Sequence, residues 1–395
     1  MKHYMFQTPG KIVAGRHALE RLHDVLDEIV AGGTAYVLTQ PFIADLGFLD
    51  VIRRQLERKG MSCVWNTDVE MEPTTDNICR IFRHFLEHPG DIIIGIGGGS
   101  VLDAAKLLAV MKTNDVPLED MVKPGSIRHA GLPLLLIPTT AGTGSEVTPN
   151  AIVTFPEKAV KVGIVSRHLL PVCVILDPVL TVSMPPSVTA ATGMDAFTHA
   201  LESYISNKAN PISDAFALES VRLISRHLLR AYENPQDLKA REAMLVGAML
   251  GGMALTGAGT AAVHAMAYPL GGAFNIPHGV ANSMLLPHVT RFNLDAVEDR
   301  LADLAEAAGL ADGTAKRKGR NRALAEKLIE LAERWIEAMN IPQDLTAYRV
   351  AREDVPALAA AASGISRLMD NNPKPMSQKD IEMIYLQLFR KGGQA

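Results

Sequence analysis

The stretch Asp91-Ile92-Ile93-Ile94-Gly95-Ile96-Gly97-Gly98-Gly99-Ser100 decides the fold. A short apolar run that ends in turn residues reads as a strand buried on both faces. The glycines let the backbone turn sharply and approach a ligand closely, and from Ser100 to Met111 the spacing is helical. Exposed N–H groups at such a helix start suit an anion. A dinucleotide pyrophosphate is the natural guest at the carboxyl edge of such a sheet. The G-x-G-x-x-G fingerprint is not met, because counting from Gly95 puts Ser100 where the third glycine belongs. A plain strand-to-helix turn therefore stays open as the alternative. Asp103 and Lys106, three apart on the helix, read as a local ion pair.

The same alternation extends outward on both sides. Ala35 to Thr39, Ser62 to Trp65, Leu132 to Ile137 and Val172 to Leu176 read as strands, with helical spacing over Leu49 to Arg58 and Thr74 to Glu87. Ala151 to Phe155 and Val160 to Ile164, joined by Pro156-Glu157-Lys158, read as a hairpin. Repeated strand–helix–strand units predict a parallel sheet covered on both faces. A second polar loop, Pro138-Thr139-Thr140-Ala141-Gly142-Thr143-Gly144-Ser145-Glu146, leaves a strand end in the same part of that sheet. Its hydroxyls and amides suit phosphate, ribose or an amide.

After Pro185-Pro186 only helical periodicity remains: Pro211 to Glu233, Asp237 to about Gly257, Leu301 to Ala308, Ala323 to Met339 and Gln378 to Arg390. The fold expected is an α/β N-terminal nucleotide-binding domain with a parallel sheet, residues 1–184, followed by an all-α C-terminal domain, residues 185–395. A length of 395 residues also favours two cores over one.

Composition narrows the function. The net charge of −4 and the absence of long like-charge blocks speak against a nucleic-acid or membrane-surface partner. The most basic run, Lys316 to Arg322, reads as a solvated loop and helix start. Ala243 to Thr290 holds no Asp, Glu, Lys or Arg. Its Gly, Ala and Met content, with three histidines and three prolines, favours a buried helix lining a site over a membrane span. Cys63, Cys79 and Cys173 lack paired or metal-type spacing, which argues for a reducing compartment. The N-terminal residues lack the apolar core of a signal peptide, so the cytoplasm is expected.

Asp195 and His199 lie four apart in Gly193-Met194-Asp195-Ala196-Phe197-Thr198-His199, so one helix face projects both onto one point. A carboxylate–histidine ion pair explains this pair equally well when it is taken alone. His264 on the charge-free helix and His278 in Ile276-Pro277-His278-Gly279 add a second pair, with Gly271-Gly272 expected in the loop between them. Three imidazoles and one carboxylate suit a divalent first-row ion such as Fe(II) or Zn(II). His288 is a candidate for a supporting role near that site.

These motifs, with Ala191-Thr192-Gly193-Met194-Asp195 and Asn371-Asn372-Pro373-Lys374-Pro375, resemble the iron-containing (group III) alcohol dehydrogenase family over nearly the whole chain. The resemblance implies a metal-dependent, NAD- or NADP-linked alcohol dehydrogenase or aldehyde reductase. It implies a cofactor in the cleft between the domains and a small alcohol or aldehyde as substrate. Asp195, His199, His264 and His278 are the implied metal ligands. Gly97, Gly98, Gly99, Ser100, Val101, Thr139, Thr140, Gly142 and Thr143 are the implied cofactor contacts, with Asn150, Lys161 and Leu180 further out. Members are often dimers or larger, so a homo-oligomer is expected. A hydroxyacid–oxoacid transhydrogenase, a dehydroquinate-synthase-like enzyme and a non-catalytic nucleotide- and metal-binding protein are the alternatives on the same scaffold.

Two positions depart from the pattern. Many relatives carry a histidine, often placed in the substrate pocket, where this chain has Tyr268; His264, His278 and Tyr268 are the residues expected at the reacting centre. A phenol with an ordinary pKa near ~10 is a poorer proton relay at neutral pH. NAD-preferring relatives often end the strand over residues 35–39 with Asp; here Gln40 stands, a neutral amide that leaves NADP open.

Overall fold

The computed structural model describes residues 3–158, 160–311 and 319–389. They form two compact units, Gln7–Ser183 and the described part of Met184–Ala395, and Phe6 goes with the second. The expected boundary had put that residue with the sheet. Its ring instead lies 5.3 Å from that of Phe216, in the helical unit.

Among its described residues, the first unit holds eight strands: β1 (Lys11–Ala14), β2 (Thr34–Leu38), β3 (Ser62–Asn66), β4 (Ile92–Gly97), β5 (Leu134–Pro138), β6 (Asn150–Phe155), β7 (Val160–Val165) and β8 (Cys173–Leu176). Six of them make one parallel sheet in the order β1-β8-β5-β4-β2-β3. β6 and β7 form a separate antiparallel pair. Alternate side chains feed two cores: Tyr36, Ile93, Leu134 and Leu136 on one face, Val37, Ile92, Ile94, Leu135 and Ile137 on the other. Burial on both faces is why β4 and β5 read as continuous apolar runs. The edge strand β1 leaves no clear mark in the sequence, because four residues carry too little alternation to signal a strand.

Thr74 caps the helix Thr75–Glu87 by accepting from the Asn77 N–H at 3.1 Å. The register sets Gly97 of β4 against Pro138 of β5. The two polar loops therefore leave the sheet side by side, and the Thr139 N–H donates to the Gly97 carbonyl at 2.9 Å.

The second unit is helical. Its longer helices are Pro186–Ile205, Pro211–Glu233, Leu238–Ala258, Ala262–Phe274, His278–Ala307 and Arg320–Ala338. Asn210 and Ser213 form a capping box, and Asp237 accepts from the N–H groups of Lys239 and Ala240. The expected Leu301–Ala308 segment is the end of a longer helix kinked at Val297, whose φ is −136°. Gly271-Gly272 do not form the expected loop. The helix runs through both glycines to Phe274, and the chain reverses at Asn275, left-handed at φ 54°. Asparagine tolerates that conformation at a helix end, so it supplies the turn.

No single described helix is long and apolar enough to cross a membrane. The charge-free stretch is broken where Leu238–Ala258 meets Ala262–Phe274 at 106°. Of the basic run, Lys316, Arg317 and Lys318 lie outside the described residues. Arg322 pairs with Asp295 and Glu326.

Candidate metal centre

The helix Pro186–Ile205 begins on a proline, which fits a first helical turn. It is buried over nearly all of its second half, so Asp195 and His199 face protein and not water. Asp195 Oδ1 lies 3.8 Å from His199 Nε2, 3.6 Å from His264 Nε2 and 3.7 Å from His278 Nε2. Asp195, His199 and His264 each offer a donor atom within 4.8 Å of the others, and all three are buried. The side chain of His278 is 30% exposed, which makes it the open side of the group. The rings of His199 and His264 stack at 4.6 Å, and that of Tyr268 lies 5.8 Å from that of His278. The structure thus brings together all four residues expected as ligands and sets Tyr268 beside them.

Packing holds this arrangement. Gly279 directly follows His278, and a Cβ there would come within 2.2 Å of the Ala191 carbonyl oxygen. Only glycine lets these two helices meet so closely. Asn371, from the motif near the chain end, donates to the Thr260 carbonyl at 2.8 Å, just before the His264 helix.

Two residues escaped sequence reasoning. Asn282 Nδ2 lies 2.8 Å from Asp195 Oδ1, 3.1 Å from His278 Nε2 and 3.3 Å from His264 Nε2. Glu202 Oε2 lies 2.6 Å from His264 Nδ1. Helical spacing carried a signal for both. Glu202 is two turns beyond Asp195, and Asn282 one turn beyond His278, each on the same face.

Electrostatics favour a cation here. Burial alone would raise the Asp195 pKa, but the His199 imidazole, the hydrogen bond to His264 and the His278 imidazole hold it well below the carboxylate range. Burial works against charge on His264, yet its bonds to Asp195 and Glu202 push it up to about 9. The Asn282 amide donates to Asp195 Oδ1 at 2.8 Å and lies within 3.3 Å of both the His264 and the His278 Nε2 atoms, so it packs against the same donor cluster. Donors around a tetrahedral first-row ion lie roughly 3.4 Å apart, close to the distances found. The residues fit a divalent metal.

The two polar loops expected to meet a cofactor lie in the first unit. A Cβ on Gly99 would meet Thr143 Cγ2 at 2.7 Å, so the two loops touch where a side chain would part them. Asp103 and Lys106 are more than a local pair. Ser145 Oγ donates to Asp103 Oδ1 at 2.5 Å, and the Ile152 N–H to Oδ2 at 2.9 Å. Lys106 Nζ donates to Ser145 Oγ at 2.8 Å and to the Asn150 carbonyl at 2.6 Å. This buried network ties the first loop's helix to the second loop.

The other residues expected around the cofactor are placed as follows. Lys161 pairs with Glu72 at 2.6 Å, and the Glu72 N–H donates to Ser100 Oγ at 3.0 Å. Gln40 donates to the Val69 carbonyl at 3.1 Å. Val101 and Leu180 are buried in apolar cores, which leaves only their backbone for a ligand. His288 bonds Gln387 through Nδ1 at 2.8 Å and is not among the clustered donors.

Glu146 is buried beside this network, and burial pushes its pKa up to about 7. Between its ordinary value near 4.5 and about 7, the folded state holds a proton that the unfolded chain has lost. Stability from this group therefore falls as pH rises through that window. Glu146→Gln should remove the fall and stabilise the protein above neutrality by on the order of 1–3 kcal/mol. Thermal melts at pH 5 and pH 8 check this; an equal shift at both pH values would contradict it.

Known proteins match along the whole length. The family model for iron-containing alcohol dehydrogenase covers residues 9–178, and that for the C-terminal region of the Fe-containing alcohol dehydrogenase family covers residues 189–389. Long-chain-alcohol dehydrogenase 1 of Geobacillus thermodenitrificans is 37% identical over 93% of each chain. The NAD-dependent methanol dehydrogenase of Bacillus methanolicus is 32% identical over 96% of this chain and 98% of its own. The crystal structure of a 1,3-propanediol oxidoreductase superposes with a TM-score of 0.93 at 35% identity, covering 98% of this chain and 100% of that one. Fold, buried donor cluster and sequence agree, and the chain belongs to the iron-containing alcohol dehydrogenase family.

Proposed function

We propose that this protein reversibly moves a hydride between a small primary or secondary alcohol and NAD or NADP, with Asp195, His199, His264 and His278 holding a divalent metal. The family makes it an oxidoreductase acting on CH–OH groups. The observation that carries the metal reading is the Asp195 carboxylate ringed by three imidazole nitrogens at 3.6–3.8 Å. Fe(II) is the first choice and Zn(II) the second, since the donor set accepts both.

When bound, the ion supplies Lewis-acid polarisation of the substrate oxygen, and the nicotinamide takes or gives the hydride. The chain's own residues do the placing. The helical unit shields Asp195 and His264 from water, which strengthens every charge interaction there. In the α/β unit, Gly97, Gly98, Gly99, Ser100 and Val101 offer backbone amides to the pyrophosphate. Thr139, Thr140, Gly142 and Thr143 offer hydroxyls and amides beside it, with Asn150, Lys161 and the Leu180 backbone further out. Gln40 carries no charge to repel a 2′-phosphate, so NADP is accepted alongside NAD.

Tyr268 stands where a proton relay would be useful, near the exposed side of His278. Tyr268→His should broaden the pH range of kcat/KM on the acid side, because an imidazole titrates near neutrality. An unchanged profile would remove Tyr268 from proton movement.

The deciding experiment is metal analysis of purified protein, followed by NADH and NADPH oxidation over a panel of short aldehydes with Fe(II) or Zn(II) restored. Metal-dependent oxidation is the expected result. Reduction of an oxoacid by a hydroxyacid without net cofactor change would point instead to transhydrogenation. Binding of metal and nucleotide without any turnover would point to a non-catalytic protein. The same sample, run by gel filtration, tests the expected homo-oligomer. The cysteines Cys63, Cys79 and Cys173 are all free, which supports a reducing, cytoplasmic setting.

A further inference from the structure

We infer that Glu202 is a positioning residue for the metal: it fixes the His264 imidazole in the one tautomer that can ligate. The inference rests on the metal reading above. Glu202 is 1% exposed and lies on the helix Pro186–Ile205, which also carries Asp195 and His199. Both of its oxygens are engaged. Oε1 accepts from the Val263 N–H at 2.6 Å, and Oε2 faces His264 Nδ1 at 2.6 Å.

A carboxylate only accepts, so the short contact places the proton on His264 Nδ1. The lone pair of the neutral ring is then on Nε2, the nitrogen 3.6 Å from Asp195 Oδ1 and beside the other donors. The Val263 bond matters equally. It clamps the carboxylate to the backbone of the residue just before His264, so ring and orienting group are held by one short segment. Outer partners of this kind set both the tautomer and the basicity of a ligating histidine. One helix thereby supplies two ligands and the group that aims a third.

Glutamine cannot replace this arrangement, although it is nearly isosteric. If its amide nitrogen faces Val263, two donors oppose each other. If it faces His264, Nδ1 must accept, and the proton moves to Nε2, where it occupies the lone pair a metal needs. The experiment uses the full-length protein loaded with Zn(II), which is diamagnetic. Two readouts are needed: the Zn(II) dissociation constant by chelator competition, and the far-downfield imidazole N–H proton resonances.

Glu202→Gln should weaken Zn(II) binding by roughly 10- to 100-fold, with the circular dichroism of the wild type. One downfield resonance should move upfield, because a carboxylate acceptor has been lost. Glu202→Asp, which keeps the charge, should recover part of the affinity. A folded Glu202→Gln protein with wild-type affinity overturns the inference. If that variant does not fold, the wild type still decides: Zn(II)-loaded protein without a carboxylate-shifted imidazole resonance overturns it too. Wild-type protein that binds neither Zn(II) nor Fe(II) would instead refute the metal reading itself.

Discussion

Asp195→Ala protein should be isolated without metal and should turn over roughly 10³-fold more slowly than the wild type, a loss of about 4 kcal/mol in transition-state stabilisation. Asp195 Oδ1 is the common neighbour of all three imidazole nitrogens. Without it, the three imidazole Nε2 atoms face one another with no carboxylate among them, and Glu202 behind His264 is the negative charge that remains. One of the two bonds that raise His264 is also lost, and Asn282 loses its shortest acceptor. His264→Ala should match this result by a different route. It removes the central ring of the histidine cluster and leaves Glu202 buried without its imidazole partner. Metal content and turnover must fall together in both variants. Full turnover by metal-free His264→Ala protein would sink the assignment of these residues.

Gly279→Ala should be the most disruptive single-methyl change in the helical unit. The new carbon would come within 2.2 Å of the Ala191 carbonyl oxygen, and the nearest atoms are all backbone. No rotamer change relieves such a clash, so the start of the His278 helix must move away from the Asp195 helix. Overpacking of this kind typically costs about 1–3 kcal/mol. Because Gly279 adjoins His278, the cost appears in metal affinity as well as in stability. Thermal melts with and without Zn(II) check this, and the gain in melting temperature from added Zn(II) should shrink. A melting curve identical to that of the wild type in both conditions would contradict the packing argument.

Much of this was legible in the sequence because the signals were periodic. β4 and β5 read as strands because parallel strands covered on both faces are apolar throughout. Asp195 and His199 could be paired because helical spacing fixes which side chains share a face. The partners of His264 were harder to read. Glu202 lies 62 positions before His264 in sequence, and only the folding of two helices against each other brings them to 2.6 Å. The same reason hid the Asp103–Ser145 bond, so that Asp103 and Lys106 read as a local pair. The turn after the His264 helix was misplaced because glycine is the stronger turn signal. Gly271 and Gly272 stayed helical, and the left-handed position fell to Asn275. Resemblance singled out Tyr268 as a departure from the family pattern; the structure gave its distance from the His278 ring.

The reversal at Asn275 also says something about how the protein would come apart. His264 and His278 stand on either side of it, on two successive helices, while Asp195 and His199 come from a third. An ion held by all four would act as a cross-link closing a chain loop around that turn. A chelator would then work as a mild denaturant of the helical unit, and resistance to heat would depend on the free metal concentration as on that of any ligand bound only by the folded state.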